Sequence, residues 1–396
     1  MSDRATDPLP LASVEERARD PHAYFRARRA EGPVQWLSEP VPEGTAVVVA
    51  GDAVYRALHD DAYTGRGSVS YGRTRPIIPT HVDPPEHTRY RRYLDPPMKH
   101  SEMVKLDPHI AARANQLIDG FLDRGGCEFH TEFAIPLPGT TFLHLFGMPE
   151  EDLPFLVAFK DSVMKPTGAT PEEQRSGQEE WARRAEEYFA GLIARARHDG
   201  GDHLLGRFVT AEVNGARLGT DELVDICFQL TLGGLDTVTA TLGLMWTFLA
   251  QHPEHRAMIN ADPAMIKPAV EELLRWATPV TAVKRRTTRG TEVDGCPLPA
   301  GQPVLLSIFS ANADPARFTT PDTVDFGRQP NKHNAFGGGI HRCLGSHLAR
   351  VELVAALREW HRRIPDYEIA PGEEPSYSDA SAIRMVSPLN LRWSTR

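Results

Sequence analysis

The sequence predicts a mainly α protein with a minor β region. Three observations carry that reading: helical periodicity dominates from about Pro84 to Trp276, one apolar run of about 30 residues reaches from Thr220 to Ala250, and the strand-like pieces are short and lie outside this stretch. Such a run is well over twice the usual helix length of about 11–12 residues. As a helix it would span ~45 Å, enough to cross the whole molecule.

Taken in order, the first part of the chain is mixed, and Thr45-Ala46-Val47-Val48-Val49-Ala50 is β-branched enough to form a strand. Asp83-Pro84-Pro85-Glu86 reads as an N-cap, two early prolines and an acid in the first turn, which together start a helix. Thr220-Asp221-Glu222 opens the long helix and His252-Pro253 closes it. Another helix opens near Pro268 and carries Glu271-Glu272-Leu273-Leu274-Arg275. Pro303-Val304-Leu305-Leu306-Ser307 gives a second short strand. The last helix follows Cys343, with Leu344, Leu348, Val351, Val354, Ala355 and Leu357 on one face.

By length alone the 396 residues would allow two or three domains of roughly 150 residues each. The absence of a linker-like shift in composition, of internal repeats and of low-complexity segments favours one domain over residues 1–396. With 41% hydrophobic and 24% charged residues, the chain is neither disordered nor fibrous. Its net charge of −9 argues against a nucleic-acid partner, which would call for clustered Lys and Arg. No basic segment followed by an apolar run opens the sequence, and no stretch reaches roughly 18 uninterrupted apolar residues, so the expectation is a cytoplasmic protein without membrane contact. Cys127, Cys227, Cys296 and Cys343 are too scattered for a disulfide framework or a zinc ribbon.

Four constellations carry chemistry. The first is Phe336-Gly337-Gly338-Gly339-Ile340-His341-Arg342-Cys343-Leu344-Gly345: three glycines leave room for a close approach by something large, and a cysteine just before a helix gains thiolate character from the N-terminal dipole. The other three cysteines read as inert buried side chains. The second is Glu272 with Arg275, at i, i+3 on one helix face; alone it would be a solvated ion pair. The third is a stripe on the long helix, Gln229, Leu232, Gly233, Asp236 and Thr237, which is oddly polar for a buried helix. There Thr237 is placed to bond the Gly233 carbonyl. The fourth is His87 with Arg91, one turn apart in a basic segment.

The loop resembles the haem-binding loop of the cytochrome P-450 superfamily, Phe-x-x-Gly-x-x-x-Cys-x-Gly, and the other three constellations follow in that family's order. The resemblance implies the family's triangular-prism fold, haem b as cofactor and Cys343 as axial thiolate ligand of the iron, with Phe336 and Gly345 of the same loop also among the cofactor-binding residues. It implies that Glu272 and Arg275, joined by Arg328, lock that loop, and that Asp236 and Thr237 bind dioxygen and relay protons. Many members have a second Thr where this chain has Val238. His87, Arg91, His341 and Arg285 would meet the haem propionates, Lys284 being the alternative to Arg285. A substrate pocket would take Arg75, Ile77, Gln229, Leu232, Gly233, Val280, Val283 and Ile383, with Arg75 and Gln229 offering a polar contact to a carboxylate, phenol or carbonyl; the alternative for Arg75 is a loop arginine that points to water, which leaves the pocket apolar. The implied activity is insertion of one oxygen atom of O2 into a small or medium organic substrate, by hydroxylation or O-demethylation. Electrons would come from NAD(P)H through a reductase and a ferredoxin or flavodoxin, an acidic ferredoxin meeting Arg91, Arg92 and Arg342. Two rivals are a peroxide-driven haem-thiolate peroxygenase, which would not need the Asp236-Thr237 pair, and a non-catalytic haem sensor.

Overall fold

A computed structural model of the chain describes residues 14–37, 44–67, 70–380 and 382–395; the N-terminal segment read for a targeting signal lies outside them. The protein is 56% helical with small sheets, which is the mainly α class that the periodicity predicts. The helices that bear on the site are, in chain order, α1 (Gly51–Leu58), α2 (Glu86–Met98), α3 (Leu153–Met164), α4 (Pro171–Asp199), α5 (Thr220–Gln251), α6 (Pro253–Ala261), α7 (Ile266–Ala277) and α8 (Ser346–Arg363). The strands of the largest sheet are β1 (Val34–Leu37), β2 (Thr45–Val48), β3 (Tyr63–Thr64), β4 (Val283–Thr287) and β5 (Pro303–Leu306).

The chain forms two compact units. The first comprises the described parts of Met1–Ser68, Glu272–Arg342 and Ser376–Met385. It holds the five-stranded sheet in the order β1-β2-β5-β4-β3, in which the two strands read from the sequence run parallel, Val304 beside Ala46 and Leu306 beside Val48. Ala46, Val48, Val304 and Leu306 bury one face of this sheet against Val54, Ala57 and Leu58 of α1. Each strand stops one or two residues earlier than predicted. Ser307 leaves β5 because its hydroxyl accepts the Ser310 N–H as a helix cap.

The second unit comprises the described parts of Val69–Glu271, Cys343–Pro375 and Val386–Arg396. Its axis is α5, whose first turn is capped by the Glu222 carboxylate, 2.8 Å from the Gly219 N–H that donates to it. At 32 residues α5 is about 48 Å long. It is long and apolar enough to cross a membrane, but 72% of its most apolar window is buried inside the protein, as in a core helix. Trp246 of α5 stacks on Phe129 at 5.0 Å and meets Trp360 of α8 edge-on at 5.6 Å, each such pair adding about 0.5–1.5 kcal/mol beyond area burial. One boundary differs from prediction: α2 begins at Glu86, after both prolines. Pro84 precedes a proline and is thereby disfavoured in the helical region.

Candidate active site

From Leu223 to Leu249 every side chain of α5 is buried except at Gln229, Leu230, Gly233, Gly234 and Thr237. Three of these exceptions, Gln229, Gly233 and Thr237, recur at i, i+4 and i+8 and line up as one open stripe in the middle of the helix. A Cβ on Gly233 would meet nothing closer than Gln229 Nε2, at an ordinary contact distance of 3.7 Å, and Gly233 is exposed. The Thr237 hydroxyl donates to the Gly233 carbonyl at 2.9 Å, as predicted, which leaves its oxygen lone pairs to accept from whatever lies along the stripe. Leu232 and Asp236, expected on the same stripe, are buried at its edge with 5% and 4% exposure.

Sequence reasoning missed the partner of Asp236. Lys160 of α3 is itself buried, and its ammonium donates both to the Asp236 carboxylate and to Asp161 Oδ1, the latter at 2.8 Å. Burial opposes the lysine charge, yet the two carboxylates together hold its pKa above the ordinary value. Asp161 is half exposed, so an ionic path of three side chains runs from water to the acid beside Thr237. A lone lysine in the apolar run of α3 was a usable signal; its partner 76 positions away was not.

In the first unit, the Glu272-Arg275 pair is fully buried rather than solvated, both side chains being at most 1% exposed. Arg275 donates to Glu272 at 2.8 and 2.9 Å, and Arg328 Nε adds two contacts of 3.0 Å to the same carboxylate, as the predicted third partner. Arg275 also donates to the Asn312 carbonyl, the Asn312 side-chain oxygen accepts the Asn334 N–H at 2.7 Å, and the Asn334 carbonyl accepts the Gly337 N–H at 2.7 Å. The node therefore reaches the glycine loop by a continuous hydrogen-bond route. The room made by the glycines is used by the chain itself: a Cβ on Gly338 would lie 2.9 Å from the His59 ring, and one on Gly339, at φ +61°, only 2.1 Å from the Leu58 carbonyl at the end of α1.

Cys343 is the one exposed thiol of the four cysteines. Burial raises the pKa of Cys127, and that of Cys227 to about 12, so both are poor thiolates. Gly345, the N-cap of α8, follows Cys343, and a Cβ there would stand 3.9 Å from the sulfur. Phe336 and His341 are half-buried in the loop of the first unit. In β4 the alternation puts Arg285 on the half-buried face with Val283, while Lys284 and Arg286 point to solvent, which separates Arg285 from its neighbour. On α2, His87 is buried, and burial together with the nearby Arg91 charge pushes its pKa down; Arg91 donates to Asp95 at 2.7 Å.

The remaining pocket residues divide between the units. Val280 pairs with Ile383, and Val283 lies against the sheet core of the first unit. Ile77, in the second, is fully buried. The Arg75 guanidinium lies 3.0 Å from Asp225, 3.2 Å from Asp221 and 3.7 Å from Glu186, and the buried Arg73 joins the same cluster. The charge that the sequence offered to a substrate is thus met by three carboxylates of α4 and α5.

A model of the cytochrome P-450 family matches residues 170–363. Among curated proteins, cytochrome P-450-SU2 of Streptomyces griseolus is 34% identical over 395 residues, covering 98% of this chain and 94% of its own. Probable cytochrome P-450 127A1 of Sinorhizobium fredii is 31% identical over 383 residues, with 95% and 90% covered. The crystal structure of CYP101J2, 30% identical, matches with a TM-score of 0.84 over 98% of this chain and 95% of that one. Since these similarities run almost from end to end in both sequence and fold, the chain belongs to the cytochrome P-450 family of haem-dependent monooxygenases.

Proposed function

We propose that this enzyme hydroxylates or O-demethylates a small or medium, largely apolar organic substrate in the cytoplasm, drawing electrons from NAD(P)H through a ferredoxin or flavodoxin and its reductase. The observation that carries the reading is the single open stripe of α5, where Thr237 sits beside a buried, ion-paired acid. A partner of opposite charge is supported by the exposure of Arg92 and Arg342 on a chain whose net charge is −9.

The donor chemistry fits haem b: one exposed thiol at the head of a helix, and Arg and His side chains suited to two carboxylates. Cys343 would hold the iron, and His87, Arg91, Arg285 and His341 would hold the propionates, with Phe336 and Gly345 shaping the loop. When bound, the haem supplies the activation of dioxygen that side chains cannot provide. The rest falls to the chain. Thr237 Oγ1 accepts a hydrogen bond at the stripe while its own hydrogen is held by the Gly233 carbonyl. Asp236 hands a proton inward and regains it from the Lys160 ammonium, which is reprotonated from water through Asp161. Gln229, Leu232 and Gly233 orient the substrate along the stripe, and Ile77 is the further apolar candidate of the same unit, while Val280, Val283 and Ile383 are the apolar candidates of the first unit. Arg75 holds the loop that carries Ile77 to α4 and α5. A peroxygenase has no need of the Asp236 assembly.

The test is the carbon monoxide spectrum of the reduced protein. Cys343→His should lose the thiolate-type band, while Cys127→Ala, Cys227→Ala and Cys296→Ala keep it. A normal thiolate spectrum in the Cys343 variant would overturn the ligand assignment.

A further inference from the structure

At the joint between α5 and α6 lies a cluster that this chemistry does not use. His252 ends α5 and caps α6, Glu254 stands in the first turn of α6, and His255 follows it. Nδ1 of His252 is 3.1 Å, and Nδ1 of His255 is 3.3 Å, from the same Glu254 oxygen, Oε1. One ligand atom from each residue falls within 4.8 Å of the others, and among the described residues this is the one such group of His, Cys, Asp and Glu. Phe248, one turn back on α5, holds both rings, with centroids 4.2 Å from His252 and 5.1 Å from His255. The Glu254 side chain is 63% exposed, so a hydrated ion has access.

We propose that His252, Glu254 and His255 form a binding site for a zinc-class divalent cation. Zinc holds nitrogen and oxygen ligands at about 2.0–2.1 Å, which separates the ligand atoms of a tetrahedral centre by about 3.3 Å. The two nitrogen–oxygen distances already match that edge. Two imidazoles and one carboxylate suit zinc or nickel, whereas magnesium and calcium favour oxygen alone. Three protein ligands leave a fourth position for water, and the ion would pin the end of α5 to the start of α6. The site is roughly 22 Å along α5 from Thr237, so it is separate from the stripe.

The experiment titrates zinc chloride into the haem-loaded enzyme by calorimetry, with magnesium as the negative control and the haem absorption spectrum as the check on folding. One zinc per chain is expected, with a rise in Tm on binding. His255→Ala should weaken binding roughly tenfold or more and abolish the rise in Tm. Glu254→Gln keeps an acceptor oxygen for the His252 ring but loses the charge; it should weaken zinc binding comparably, whereas a trio held only by hydrogen bonding and ring packing would be indifferent. Undiminished one-to-one binding in a His252→Ala/His255→Ala protein, or no zinc binding by the wild type, overturns the proposal.

Discussion

Replacing Lys160 with Met keeps the length of the side chain and removes the ammonium that Asp236 faces. The Asp236 carboxylate, 6% exposed, is then buried without a counter-charge, and the half-exposed Asp161 loses the group that stood between the two acids. Removing one partner of a buried pair costs about 3–5 kcal/mol, mostly the penalty of the charge left behind. A chain of 396 residues has an unfolding entropy of about 0.8 kcal/mol per kelvin, so Tm should fall by about 4–6 °C. Lys160→Met/Asp236→Asn removes both charges and should recover at least half of the loss, because no orphan charge remains. The assay is thermal unfolding of the haem-loaded protein by circular dichroism for both single variants and the double variant. Lys160→Met should also lower the product formed per NAD(P)H, since Asp236 is no longer held. If the two single losses simply add in the double variant, the pair is not an energetic unit and the argument from burial fails.

Thr237→Ala should still bind haem and substrate and consume NAD(P)H but divert much of the reducing power to peroxide; unchanged product per NAD(P)H would remove the proton role from Thr237. Glu272→Gln neutralises the carboxylate on which Arg275 and Arg328 converge, and should cost about 3–5 kcal/mol and speed haem loss through the Asn312 route, read from urea midpoints and haem transfer to an acceptor globin. An unchanged midpoint would contradict the node. Burial pushes the pKa of His361 down to about 4, so as pH falls from about 6.5 to 4 the unfolded chain takes up the proton first and stability drains away, by about 3 kcal/mol for this residue. His361→Gln should flatten that part of the pH dependence of the urea midpoint, and an unaltered slope would show that another group titrates there.

The sequence by itself determined the ends of α5, the start of the helix after Cys343, the two short strands and the pairing of Thr237 with the Gly233 carbonyl. Each rests on signals that act within one or two turns: the Glu222 cap, the apolar period, the glycines flanking Cys343. The tertiary structure decided what stands opposite. It made β2 and β5 parallel neighbours although their centres are some 260 positions apart, a pairing with no local signal. It split the predicted stripe, opening Gln229, Gly233 and Thr237 and turning Asp236 toward Lys160. It spent the freedom of Gly338 and Gly339 on the end of α1, and it gave Arg75 to Asp221, Asp225 and Glu186. Periodicity fixes the direction in which a side chain leaves its helix, because that direction depends only on backbone geometry. Which partner meets it depends on how elements distant in the chain bury their apolar faces, and only the packed molecule supplies that.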